Sequence, residues 1–328
     1  MENGIRLFRA PMGTTLALRS NAIIAAGLII FIFYFLSNSF TGSHSSLYSF
    51  NNNSTVEPTV KPTIEPTDRW LVFYNSAADD IRRRTVIRSS WHHLYRNDSL
   101  FQTRFVISNP GPLWMPIIEQ EMEQYNDIIM LPHLNETFWV ANTIKTIEFF
   151  KELVGQGKNY TWVTKLDEDS WLDVPNFYRG WLLPREESGN TSDTIIGRSL
   201  QYSYPFKYPS GQFYTLSWDI VTLLVDLYEE HPIIDESEDV LVGMLLYKSN
   251  ITTTMTELSP REAFNYKEGL ARGDGTPWAS KKANLDVWEH AVGPGAINIH
   301  LLKWDEVFLQ IAECYDKDGL KLDQYNNE

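Results

Sequence analysis

Tyr160–Trp171 reads YTWVTKLDEDSW, an apolar run that closes on Lys165 and then breaks into three consecutive acids, Asp167, Glu168 and Asp169. The β-branched and aromatic residues of Tyr160–Leu166 predict a short strand that delivers those carboxylates at its carboxyl end. The same grammar occurs upstream. Trp70–Tyr74 (WLVFY) is apolar at every position, as a strand buried on both faces requires. Ile81, Thr85, Arg88 and Trp91 fall at helical spacing in the basic stretch that follows. Phe105–Ser108 and Asp127–Met130 predict two more strands, Trp114–Tyr125 and Asn142–Val154 two more helices. Strands alternating with helices imply an α/β fold with a mainly parallel sheet flanked by helices, and ligands of such sheets bind beyond the carboxyl ends of the strands. Farther along, Ser217 is expected to cap a helix running to Glu230, and Ser237 another that begins with Glu238-Asp239.

The rest of the chain sets the surroundings of this domain. Its 328 residues carry 28 basic and 42 acidic side chains, a net charge of −14 that argues against a nucleic-acid binder. The single cysteine, Cys314, excludes an intramolecular disulfide framework and a four-cysteine zinc site. Asn21–Leu36 (NAIIAAGLIIFIFYFL) is uncharged and nearly all apolar, slightly shorter than the roughly 20 residues that span an average bilayer. Arg6, Arg9 and Arg19 precede it and no Lys or Arg follows before Lys61, so the positive-inside rule puts residues 1–20 in the cytosol and the chain after the anchor in the lumen. The competing reading, a cleaved signal peptide, has only Ser37 and Ser39 as small residues near a cleavage point. Residues 37–67 are rich in Ser, Thr, Pro and Asn and read as a stalk. Residues 68–328 form the folded domain. Acceptor sequons at Asn52, Asn53, Asn97, Asn135, Asn159, Asn190 and Asn250 all lie beyond the apolar segment, as expected of a secretory-pathway chain.

Clustered carboxylates after a strand suit a hard divalent cation, whose oxygen ligands leave positions open for a substrate's phosphates. A solvated turn is the plain reading of such a triplet, and an ordinary helix start is the plain reading of Glu238-Asp239. The second pair also suits a general base.

Five blocks in order resemble glycosyltransferase family 31, the β-1,3-galactosyltransferase, N-acetylglucosaminyltransferase and fringe group. Arg84-Thr-Val-Ile87-Arg88-Ser-Ser-Trp91 is similar to the family's R-x-x-I-R-x-x-W, Thr143-Ile-Lys145-Thr146 to its T-x-K-T, and Lys165–Trp171 to its K-x-D-D-D-x-F. Tyr208–Ser217 follows Y-x-S-G-x-G-Y-x-L-S, and Glu238–Gly243 follows E-D-V-x-x-G. The resemblance implies a GT-A fold, a type II Golgi membrane protein with its catalytic domain in the lumen (the endoplasmic reticulum being the alternative), and inverting transfer of a hexose or N-acetylhexosamine, galactose first, from a UDP-sugar to a glycan or glycoprotein. By the same resemblance Asp169 is the foremost ligand of Mn2+ or another divalent cation. Asp167 joins it and, with Glu168, places the ribose and the surroundings of the ion. Asp239 is the base, Arg84 and Arg88 face the nucleotide diphosphate, and Lys165 belongs to the donor site. Trp171, Tyr208, Gly211, Tyr214 and Glu238 lie toward the acceptor. Aromatic stacking on sugar rings is expected of one or two among Trp171, Tyr208, Tyr214 and Trp218. A late histidine on the metal is expected to be His300, with His290 second. Glu168, Trp171, Gln212 and Phe213 depart from the family pattern. Two rival readings are a glycan-binding protein of the same fold without turnover, and a glycoside hydrolase using Asp169 and Asp239.

Overall fold

The computed structural model describes residues 69–95, 100–267 and 288–321. Ile64–Glu328 form one compact unit. The apolar segment 21–36, the stalk and the sequons Asn52, Asn53 and Asn97 lie outside the described residues. Among those that are described, no helix is long and apolar enough to cross a membrane.

A seven-stranded sheet runs through the domain: β1 (Trp70–Ser76), β2 (Phe101–Asn109), β3 (Ile128–Asn135), β4 (Trp162–Leu166), β6 (Thr194–Leu200), β7 (Tyr208–Ser217) and β8 (Thr254–Glu257), in the order β3-β2-β1-β4-β7-β6-β8. Strands β3, β2, β1 and β4 are parallel, β7 is antiparallel to β4 and β6, and β8 is parallel to β6. This is the mixed α/β, mainly parallel sheet that the alternation of elements implies. The observed strands β2 and β3 outrun the expected stretches, because their polar ends pair through backbone bonds that side-chain hydrophobicity does not report.

Strand β1 shows why WLVFY is apolar throughout. Trp70, Val72 and Tyr74 pack into one core and Leu71 and Phe73 into the other. The first core lies under a helical stretch that begins with α1 (Ile81–Ile87), passes through a π-turn (Arg88–His92) and ends at Tyr95. The second lies under α3 (Lys145–Gly155), α4 (Trp218–Glu230) and α5 (Glu238–Lys248). Between β2 and β3 runs α2 (Gly111–Tyr125). The helix expected over 142–154 is broken at Thr143, so a short helix Phe138–Asn142 precedes α3.

A second, smaller sheet joins β10 (Glu289–His290), β9 (Ala263–Tyr266), β11 (Asn298–His300) and β5 (Trp171–Leu172) in that order, followed by α6 (Asp305–Glu313). Local sequence hides it, since its strands are two to four residues long. Ser217 and Ser237 occupy N-cap positions as expected, but neither side chain caps its helix. Ser217 bonds to Thr194 of β6, and Ser237 Oγ donates to Asp239 Oδ1.

Sequon asparagines Asn135, Asn159, Asn190 and Asn250 are all exposed. Asn159, Asn190 and Asn250 precede β4, β6 and β8, three strands running in one direction, and so sit at the amino end of that part of the sheet. Asn135 ends β3, at the opposite end.

Candidate active site

β1 and β4 are adjacent, and the chain goes on from β1 to β2 on one flank of the pair and from β4 to β6 and β7 on the other, so their carboxyl ends form the crevice in which α/β sheets bind ligands. The acidic triplet lies there. A tight turn follows β4, with Asp167 N donating to Gln212 O at 3.1 Å and Ser170 N to Asp167 O at 2.9 Å. Gln212 fastens this turn: its Nε2 reaches Asn298 Oδ1 at 2.8 Å, and Asn298 Nδ2 reaches Trp171 O at 3.1 Å.

The small sheet brings His300 to the triplet. Pairing of Ile299 with Trp171, and the Leu302 N to Asp169 O bond of 2.9 Å, set the end of β11 beside the turn. His300 Nε2 lies 3.3 Å from Asp169 Oδ1 and 3.7 Å from Asp167 Oδ2. One ligand atom from each of Asp167, Asp169 and His300 falls within 4.8 Å of the others, so these three residues can hold one divalent cation. His300 Nδ1 is 2.8 Å from Asn265 Oδ1. With Nδ1–H donating to that oxygen, Nε2 is the ring atom turned to the carboxylates, where it carries a proton toward Asp169 or, in place of that proton, offers its lone pair to a cation. Leu301, directly after it, has φ of 66°, left-handed backbone that a branched side chain rarely takes. His290, the second choice, is buried between Pro260 O and Ala291 O and stacked on Phe264; it is structural.

Burial opposes ionisation of Asp169, but hydrogen bonds and charge from His300 and Lys303 outweigh it and hold the carboxyl well below the usual carboxylate range. Glu168 behaves oppositely. Burial, with the charge of Asp80, pushes it up to about 8 against the opposing influence of Ser76 and Arg84. Its Oε1 is buried without a hydrogen-bond partner among the described residues. A cavity of about 420 Å³ opens over the cluster, lined by Asn75, Asp80, Arg83, Lys303 and the acidic triplet with His300.

Arg84 and Arg88 do not face this cavity. Arg84 is fully buried and donates to Glu121 at 2.7 and 2.8 Å, to Ser76 Oγ at 2.8 Å, and to the carbonyls of Ala77 and Ala78. Arg88 is bound to both oxygens of Asp127 and to Glu121, and its guanidinium lies over Tyr125. All five N–H donors of Arg84 are used within the protein, and three of the five on Arg88 are held by carboxylates. The cations that do line the cavity are Arg83, whose NH2 donates to Lys303 O at 2.6 Å, and Lys303, whose Nζ lies 2.9 Å from Asp169 Oδ2. Neither is conspicuous in the sequence: Arg83 is the middle of three arginines, and only its neighbour matches the motif. A second cavity of about 400 Å³, at the amino ends of β2 and β3, is lined by the paired Arg88 and Asp127 together with His92, Arg104 and Tyr125. Burial lowers His92 to about 4, so that imidazole is neutral.

Lys165 joins the two acidic groups. Buried in β4, its ammonium contacts Asp167, Gly211 O and, at 2.9 Å, Glu238. Burial disfavours its charge, yet the two carboxylates more than compensate and raise its pKa. Glu238 also accepts from Tyr214 Oη at 2.5 Å, so Glu238 and Tyr214 are buried partners rather than exposed acceptor contacts. Asp239 is half-buried at the start of α5. Its Oδ1 accepts from Ser237 Oγ at 2.7 Å and Val240 N at 2.8 Å, and its Oδ2, among the described residues, from Gly211 N alone, at 3.2 Å. A Cβ on Gly211 would lie 3.1 Å from Glu238 Oε1 and 3.4 Å from Asp239 Oδ2, so glycine lets β7 approach both acids. Trp171 is fully buried against Tyr315 and Phe308 and stacks on no sugar. Trp218 packs on Tyr160. Tyr208 is buried but stands at the edge of an open aromatic cluster beside Asp239.

The chain matches no curated protein. It is similar in structure to the apo-form glycosyltransferase GlyE of Streptococcus pneumoniae TIGR4, with 14% identity and a TM-score of 0.39, over 75% of this chain and 60% of that one. A glycosyltransferase involved in the glycosylation of the major capsid of PBCV-1 gives 10% identity and a TM-score of 0.38, over 75% of this chain and 98% of its own. At those scores neither bears on the site. A family model described as galactosyltransferase matches residues 82–207, a span that includes the arginine block and the acidic triplet and stops before Gly211, Asp239 and His300. Over residues 82–207 the chain is thus similar to the galactosyltransferase family, in line with the motif resemblance.

Proposed function

We propose that the chain is an inverting glycosyltransferase that moves a hexose or N-acetylhexosamine, galactose first, from a UDP-sugar to a hydroxyl of a glycan or glycoprotein, in a β-1,3 linkage, on a GT-A scaffold. One observation carries the reading. Asp167, Asp169 and His300 converge at the crevice of a parallel sheet and are tied through Lys165 and Gly211 to a carboxylate, Asp239, that keeps an oxygen with unused acceptor capacity.

Asp167, Asp169 and His300 are the residues that would hold a manganese-like cation, which when bound neutralises charge on the donor's diphosphate. The remaining work falls to the chain. Arg83 and Lys303 line the same cavity and stabilise the negative charge that builds on the departing UDP. Asp239 Oδ2 takes the proton of the acceptor hydroxyl as its oxygen bonds to C1 and the bond from C1 to the UDP oxygen breaks, so the anomeric centre inverts. Lys165 keeps Glu238 and Asp167 in register. Composition and topology support a type II Golgi membrane protein with a luminal catalytic domain and glycans on its exposed sequons.

The test is UDP release by the full-length chain, with manganese and a panel of UDP-sugars, beside Asp239→Asn and Asp169→Asn. The expected result is donor-dependent release, lost in both variants. Release that survives in Asp239→Asn overturns the assignment of the base, and absence of UDP binding with any metal overturns the transferase.

A further inference from the structure

The cavity at the amino ends of β2 and β3 lies at the far end of the sheet from the acidic triplet, and the transfer chemistry makes no use of it. The sheet has a step there. Phe105 N donates to Asp127 O at 2.7 Å and the ladder to β3 begins with the pair Phe105 and Ile128, so residues 101–104 of β2 form an open edge. Thr103, two residues before Phe105, turns the same backbone edge away from β1 and, with Phe101, lines the cavity.

The walls are rich in donors. Arg88 spends three N–H groups on Asp127 and Glu121, so NH1 and NH2 each keep one. Its guanidinium lies over the rings of Phe105 and Tyr125, at 4.9 and 4.1 Å from their centroids, which fixes its plane. Arg104 donates from NH1 to Thr103 O at 2.8 Å and from NH2 to Gln102 Oε1 at 3.3 Å; among the described residues its other three N–H groups have no partner and no carboxylate pairs with it. Two guanidinium groups thus stand against one lining carboxylate, Asp127, whose oxygens are both taken by Arg88. That surplus is positive in a chain of net charge −14. At His92 burial, helped by the charges of Arg88 and Arg104, overcomes Asp127 and keeps the imidazole neutral.

A solvated arginine is the plain reading of Arg104 taken alone. A second guanidinium, fixed in plane on the wall of the same cavity, makes the pair an oxyanion site. The space describes the rest of the ligand: about 400 Å³ has room for roughly a dozen waters, so an inorganic phosphate would fill a small part of it. Phe101 and Tyr125, both partly exposed, supply aromatic walls. We propose that this cavity is a second ligand site, separate from the acidic triplet, that takes a small aromatic anion, its phosphate or carboxylate on Arg104 and Arg88 and its ring against Phe101 and Tyr125. The site does not depend on the transferase reading.

The test is calorimetric titration of the metal-free, full-length chain with phenyl phosphate and with benzoate, beside inorganic phosphate and benzyl alcohol. Expected is binding of at least one aromatic anion, about tenfold or more tighter than inorganic phosphate, and no binding of benzyl alcohol. Which of the two anions binds names the oxyanion. Arg104→Gln weakens that binding about tenfold or more, Arg104→Lys, which keeps the charge without the fork, weakens it less, and Arg83→Gln, in the acidic cavity, leaves it unchanged. Thermal denaturation of each variant checks folding. Binding of neither aromatic anion, equal affinity for inorganic phosphate or benzyl alcohol, full affinity in folded Arg104→Gln, or loss of binding in Arg83→Gln overturns the proposal.

Discussion

Two charged clusters lie on either side of the turn after β1, and they are built on opposite rules. In the first, Arg84 and Arg88 meet Glu121 and Asp127, and every donor of Arg84 and three of the five on Arg88 find a partner within the protein. In the second, Asp167, Glu168 and Asp169 face His300 and Lys303, leaving Glu168 Oε1 without a partner and the opening toward solvent. A closed cluster positions; an open one retains the capacity to bind. The arginine block and the T-x-K-T block both act by holding one end of one strand. Arg84 grips Ser76, Ala77 and Ala78, Lys145 donates to Ser76 O at 3.0 Å, and Asn75 Nδ2 donates to Thr146 Oγ1 at 2.8 Å. That strand end forms one wall of the site.

The sharpest way to break the comparison is to remove one member of the closed cluster. Arg84→Ala leaves Glu121 buried beside a missing partner, and chemical denaturation is expected to show a loss of about 3–5 kcal/mol. A loss near zero, with UDP binding abolished, would restore Arg84 to the donor site. Next in size is the open cluster's support: Asn265→Ala frees the His300 ring, so manganese affinity, read by calorimetry, should fall about 10–100-fold with little change in stability.

Glu168 tests the open cluster by pH. Its carboxyl is raised in the folded protein, so its contribution to stability is complete below the ordinary carboxylate range and is lost as pH rises toward about 8. Metal-free Glu168→Gln should therefore be the more stable protein at alkaline pH, by on the order of 1 kcal/mol, and lose that advantage near pH 4. Asp169, held low, runs the other way: its contribution is present above the ordinary range and disappears as pH falls. The smallest effect is expected at Lys303, whose side chain is 67% exposed. Lys303→Ala should change stability by less than about 1 kcal/mol while weakening UDP binding. A large stability loss would place Lys303 with the closed cluster.

Much of the scaffold was legible because its signals are local. An all-apolar WLVFY needs two cores and an apolar strand ending in three acids needs a solvent-facing turn; the spacing of Ile81, Thr85, Arg88 and Trp91 gave a helix but the wrong face, since Ile81 and Thr85 are exposed and Arg84, Ile87 and Trp91 are the buried residues. The acidic triplet and Asp239 could be named from residue type and order alone. Arg84, Arg88, Trp171, Tyr214 and Glu238 could not be sorted into facing or buried, since a motif records that a residue is required and not which way it points. Asn265, Gln212 and Lys303 carried no signal of their own; they matter because β9, β7 and the chain after β11 pass the triplet.

What the sequence by itself determined is the alternation of elements, the strand that carries the carboxylates, and the ordered blocks that identify the family segment. The tertiary structure alone decided which charges are closed and which are open, and that His300 rather than His290 meets Asp167 and Asp169. The reason is range: hydrophobic period and strand propensity act over a few neighbours, whereas a charge is satisfied by whatever residue the fold brings within about 3 Å, however distant in the chain.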